Sequence, residues 1–297
     1  MTIKTPLARK ATLVSLSISK WSGRKLDKTI TADIAAQHGT DVADVRATKA
    51  LFKKEDLDAI NKAASRVSVV WRGYTRPWSD DGVRVLPNLL YSKAMADIGA
   101  AIREFDGVVG NTDFAAIIAR RQGELKGIFN PDDYPTPDEI KASFGIRVNV
   151  MPFPDASDFR ADIDADTLAD IRAEVAAADK RVTDGMRKQT LADIVQTVGH
   201  MATKLREYKA SDQPKPGDNG GPSTRMHDSM VGNVRRLAEL LPAFNMEGDP
   251  ALTALTQRIE AELCVETPKA LKASATLRKS VAQSADDILA EVSKLIA

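Results

Sequence analysis

The first regular pattern along the chain is an alternation of period two. In TLVSLSISK, residues 12–20, Val14, Leu16 and Ile18 fall on one side and Ser15, Ser17 and Ser19 on the other. This predicts a half-buried strand, closed by Trp21 and turned at Ser22-Gly23. A short helix is expected next, from Thr31 as its cap to His38, with Gly39 just past its end where a left-handed residue is needed. Asp41, with Asp44 three residues on, predicts another helix running to Lys54.

From Glu55 the apolar residues recur at Leu57, Ile60, Ala64, Val67, Trp71 and Tyr74, a 3-4-3-4-3 spacing that draws one stripe along a helix. Pro77 disfavours a helical Arg76, so this helix should end by Thr75, and Ser79-Asp80-Asp81-Gly82 reads as a turn. Tyr91, Met95, Ile98, Ile102, Phe105 and Val109 mark a second long helix, and the short connection favours an antiparallel pair. A third helix is expected over 112–126, presenting Phe114, Ile117, Ile118 and Leu125 and ending at Gly127. Thr136-Pro137-Asp138-Glu139 is a full capping box for a short helix over 137–143.

Alternation returns at 146–152 and 158–165, predicting two strands that complete a small antiparallel sheet. Residues 167–209 are helical in pattern throughout. Leu168, Ile171, Val175, Ala178 and Val182 keep heptad spacing, and so do Leu191, Ile194, Val198, Met201, Leu205 and Tyr208. The two registers do not join across Gly185, so a kink or a change of packing partner is expected there. Proline, glycine and polar residues make 211–223 a flexible loop, and helices are expected over 224–241, 250–265 and 274–296, with Asp249 capping the second. The fold class is therefore α+β and predominantly α-helical. Helical hairpins surround a small antiparallel sheet in residues 1–166, and a C-terminal helical bundle of long helices occupies 167–297.

A chain of 297 residues can bury a substantial core without staples. Its single cysteine, Cys264, excludes an internal disulfide framework and any multi-cysteine zinc site, which suits a reducing, cytoplasmic setting. No stretch approaches the roughly 18–20 apolar residues of a membrane span, and the start lacks an apolar leader core, so no membrane partner is expected. The net charge of +1 hides an asymmetry: residues 1–100 carry 17 Lys and Arg against 10 Asp and Glu, and residues 101–297 carry 25 against 31. The basic N-terminal third can attract phosphate backbones or an acidic partner, and can equally dock on the acidic remainder.

Trp71, Arg72, Tyr74, Arg76 and Trp78 crowd one short stretch, and aromatic faces with arginines are what unpaired bases and phosphates bind. Helical phase divides the set. Trp71 and Tyr74 continue the stripe of Leu57 and Ile60 and belong to the core, whereas Arg66, Arg72 and Arg76 lie off it and Trp78 lies in the following turn. The candidate binding residues are thus Trp78, Arg66, Arg72 and Arg76, with Lys25 and Lys28 from the same basic third. Asp162, Asp164 and Asp166 open like a calcium loop but have Thr167 in place of the glycine and Ala173 in place of the closing glutamate. His38, His200 and His227 are too scattered for a metal pair, and no phosphate loop, dinucleotide fingerprint or nucleophile elbow is present. No metal, cofactor or catalytic residue is expected.

Several motifs stand out along the chain. They are Trp21 followed by Arg24-Lys25-x-Asp27-Lys28, the run Pro77-Trp78-Ser79-Asp80-Asp81-Gly82-x-Arg84-x-Leu86-Pro87, and Phe129-x-x-x-Asp133-Tyr134-Pro135. Pro152-x-Pro154 with Asp158-Phe159-Arg160, and Leu241-Pro242-x-x-Asn245-x-x-x-Asp249-Pro250, complete the set. In these the chain resembles an uncharacterised family of tailed-phage and mobile-element proteins, a domain of unknown function. The resemblance implies a phage context, the cytoplasm of a bacterial host, and an ATPase of the AAA+ class as a partner; it carries over no catalytic residue. The expected function is a non-enzymatic binding or assembly protein, acting through helix-mediated self-association or a protein partner in phage DNA transactions. The alternative is single-stranded nucleic-acid binding through the basic N-terminal third.

Overall fold

A computed structural model of the protein describes residues 6–79, 81–153, 165–208 and 226–296. The chain runs α1 (Pro6–Lys10), β1 (Ala11–Ser19), β2 (Arg24–Leu26), α2 (Lys28–His38), β3 (Thr48–Ala50), α3 (Lys54–Tyr74), β4 (Arg76–Pro77) and β5 (Arg84–Pro87). It continues through α4 (Tyr91–Asn111), α5 (Phe114–Leu125), α6 (Pro137–Ala142), β6 (Gly145–Met151), α7 (Ala165–Glu207), α8 (Ser229–Phe244), α9 (Pro250–Leu263), α10 (Pro268–Ala273) and α11 (Ala275–Ile296). The fold is α+β and mostly helical, as the periodicity predicts.

The main sheet has the order β4-β5-β1-β6. β1 lies antiparallel to β5, with Ala11 opposite Pro87 and Val14 opposite Arg84. Strands β4 and β5 carry no alternation that a sequence reading could detect, since they are two and four residues long and each contains a proline. The expected strand over 158–165 lies outside the described residues except for Ala165, which begins α7; the loop 211–223 and Asp80, Asp162 and Asp164 lie outside them too.

Local signals were overruled at three places. The helix expected from Asp41 to Lys54 does not form. Asp41 does cap, accepting from the Ala43 N–H at 2.9 Å. Only the 3-10 turn Val42–Asp44 follows it, Val45 is extended, and the chain becomes β3, antiparallel to β2 with Lys49 opposite Lys25. A three-residue partner strand satisfies backbone groups that one capped turn cannot. The cap of α2 is Asp27 rather than Thr31: its carboxylate accepts from the Ile30 N–H at 3.0 Å, while Thr31 donates to the Asp27 carbonyl and accepts from the Ala47 N–H. After α5 the positive φ falls on Lys126, not Gly127.

Contacts group the chain into two units, Met1–Val14 with Tyr74–Tyr91 and Val150–Ala297, and Ser15–Gly73 with Ser92–Asn149. The sequence places one boundary near 166 instead. In the second unit the stripe of α3 meets α4, α5 and α6 in one core, where Ile60, Val67, Phe105, Phe114 and Ile140 are buried. The buried line of α4 is Ala94, Ile98, Ala101, Phe105 and Val109. In the first unit α7, α8, α9 and α11 form the bundle, and Leu191, Ile194, Val198, Met201 and Leu205 of α7 lie in its core. α10, capped by Thr267, is an element the periodicity missed because six residues hold less than two turns.

α7 is unbroken across Gly185. At about 100° per residue, the step from Val182 to Leu191 sets the two heptad stripes on roughly opposite faces. The later stripe is buried from Leu191 to Leu205. The earlier one, Ile171, Val175, Ala178 and Val182, stays half-buried.

Candidate functional site

The tract after α3 is a tight joint. Arg76 and Pro77 pair with Val85 and Arg84 across β4 and β5. The Trp78 N–H donates to the Val83 carbonyl at 3.0 Å, and Gly82 turns the chain with φ 89°, a conformation few other residues adopt without strain. Asp81 accepts from the Ser79 hydroxyl and from the Val83 N–H, and these two bonds hold its carboxyl below the usual carboxylate range. Both bonds serve the turn. Arg84 in turn spans back to Thr75, bonding its hydroxyl at 2.6 Å and its carbonyl at 3.0 Å.

Arg76 overturns the expectation of an outward polar contact. It is 6% exposed, pairs with Asp193 of α7 at 2.5 Å, donates to the Thr75 carbonyl at 3.1 Å, and lies 3.8 Å from the centre of the Phe244 ring. Burial pushes its guanidinium below the ordinary arginine value, and Asp193 pulls the other way. The group stays charged at physiological pH, so its cost is offset by the carboxylate and the aromatic face. Its Nε has no hydrogen-bond partner among the described residues. Gln189 donates to the second Asp193 oxygen at 2.8 Å and so fixes the carboxylate from the solvent side.

Trp78 is half-buried and meets Phe153 in a T-shaped contact, with centroids 4.6 Å apart and planes at 74°. It lines a cavity of about 440 Å³ whose other wall is α7, including Ala178, Arg181, Val182, Gly185 and Gln189. Arg181 is exposed and has no ion-pair partner among the described residues. Among the described residues no carboxylate lines this cavity.

The remaining candidates are in the other unit. Arg66 and Glu104 form an exposed pair at 2.9 Å, of the kind that contributes about 0–1 kcal/mol. Arg72 and Lys28 are exposed. Lys25 is exposed and pairs with Asp133 at 2.9 Å. Asp133 also holds Lys49, which is 9% exposed, lies 3.4 Å from Asp27 and donates to the Ile128 carbonyl at 3.0 Å. Asp133 raises the Lys49 ammonium against the effect of burial, and Lys49 lowers the Asp133 carboxyl. Asp27 divides its two oxygens between Ile30, the larger cause of its own lowered value, and Lys49. The result is a balanced charge cluster on the wall of a cleft of about 510 Å³.

Of the residues lining this cavity the sequence reading names Trp78 alone as a binding candidate; Arg181, Gln189 and Asp193 stand more than a hundred positions along the chain with no local pattern to mark them. His38, His200 and His227 are exposed, and among the described residues no cluster of His, Cys, Asp or Glu is arranged to hold a metal ion. No described helix is long and apolar enough to cross a membrane. Compared with protein-family models, curated proteins and solved structures, the chain matches none.

Proposed function

We propose that the protein is a non-enzymatic binding or assembly protein that associates with a second copy of itself through the first half of α7. The observation that carries this reading is the pair of opposed stripes: Leu191 to Leu205 are buried in the bundle, while Ile171, Val175, Ala178 and Val182 keep heptad spacing and remain half-buried. Heptad spacing of apolar residues matches the seam that one helix presents to another. The setting we propose is that of phage and mobile-element proteins, with an AAA+ ATPase as a further partner. Size-exclusion chromatography with light scattering should give twice the 32.2 kDa chain mass at high micromolar concentration, and Val175→Asp should return it to a single chain. A parent protein that stays at the single-chain mass overturns the self-association.

A second reading, single-stranded nucleic-acid binding, is favoured by one observation: Trp78 and Arg181 line one cavity. The basic residues first considered for it support it less, because Arg76 is buried and Lys25 is paired.

A further inference from the structure

We propose that the cavity between Trp78 and α7 holds a single nucleotide, free or as one residue of a single strand, with its base on the indole and its phosphate at Arg181. This rests on the second reading and narrows it to one pocket and one cation. Trp71 and Tyr74 are buried, so among the three aromatics of the tract only Trp78 is offered to a ligand. A T-shaped contact with Phe153 engages at most one face of the indole, and stacking of a base needs only the other.

The rest of the lining fits the two ends of a nucleotide. Arg181 is exposed beside the cavity and, among the described residues, no carboxylate lines it, so the cavity offers a phosphate one cation. Gln189 spends one of its two amide N–H groups on Asp193, and its carbonyl oxygen is an acceptor suited to the exocyclic amino group of adenine or cytosine. Asp193 is itself held by the buried Arg76, so the acceptor is fixed before any ligand arrives. At Gly185 an added Cβ would meet nothing within 4 Å, so this part of the wall is open helix backbone. The volume of about 440 Å³ lies within the range of small-ligand clefts. Ala178 and Val182 belong both to this wall and to the heptad stripe, so a bound nucleotide and a helix of a second copy compete for them.

The test titrates the full chain with a labelled single-stranded oligodeoxyadenylate, with the matching oligothymidylate, and with adenosine monophosphate. Trp78→Leu and Arg181→Ala should each weaken adenylate binding about five-fold or more. Arg181→Ala should also lower the slope of log affinity against log salt by about 0.7, the loss of one single-strand phosphate contact. Arg181 is exposed, so its variant tests the pocket without disturbing the Trp78–Phe153 contact. Weaker binding of thymidylate supports the Gln189 contact. Binding of the monophosphate alone supports the pocket and overturns the single-strand reading. Oligonucleotide binding that both variants leave unchanged overturns the pocket and leaves that reading standing. Binding of neither overturns both.

Discussion

Arg76 stands in the sequence among arginines and aromatics that look available, and folding turns it inward onto Asp193 and Phe244. Its neighbours Arg66 and Arg72 stay exposed. The difference arises because Arg76 lies past the end of α3, in a strand that buries it, so the helical phase used to place it off the stripe no longer applies. Removing one partner of a buried pair leaves a charge without compensation. Asp193→Ala should therefore cost about 3 kcal/mol in urea unfolding, while the double change Arg76→Met with Asp193→Leu should be much milder. A loss below about 1 kcal/mol in the single variant would class the pair with solvent-exposed ones. Lys49 teaches the same lesson. It sits in a three-residue strand with no alternation, yet Asp133 and Asp27 hold it in a nearly closed site.

The long helices were legible because twenty residues repeat a stripe five or six times. The whole predicted stripe of α3, from Leu57 to Tyr74, is buried. On α4 the burial is centred one position earlier than the large residues suggest, with Ala94 and Ala101 in the core and Met95 and Ile102 half-buried. Large apolar residues flanked the contact while small ones let the neighbouring elements approach. The short strands β2 to β5 hold two to four residues each and cannot show a period at all. α7 offers a prediction of its own. Gly185 is helical, has no positive φ, and leaves room for a Cβ. Gly185→Ala should stabilise the protein by about 0.5–1 kcal/mol, read as a higher urea midpoint with an unchanged slope. A lower midpoint would show that the glycine serves a packing or hinge role in the helix.

Across the described chain, acidic groups in both units are held below their ordinary values by bonds made only in the folded state. Asp27, Asp81, Asp133, Glu139 and Glu262 are lowered, and Glu124 falls to about 2, chiefly through Arg121 and then Lys53. A depressed folded value means that the native state binds the proton less readily than the unfolded chain. The stability from these groups is complete above the unfolded values near 4 and is lost as pH falls through the folded ones. The urea midpoint should therefore decline steeply below about pH 4.5. A midpoint constant down to pH 3 would contradict this. What could be read from the chain alone was its class, its long helices and the inward faces of α3 and the bundle, because helical hydrogen bonds and stripe spacing are properties of neighbouring residues. Which cations remain free was settled elsewhere. Arg76 meets Asp193 across 117 positions and Lys49 meets the Ile128 carbonyl across 79, and no local pattern encodes a contact at that distance. The Trp78 pocket is of the same kind. Its aromatic comes from a turn and its cation from a helix, and only packing brings them to one cavity.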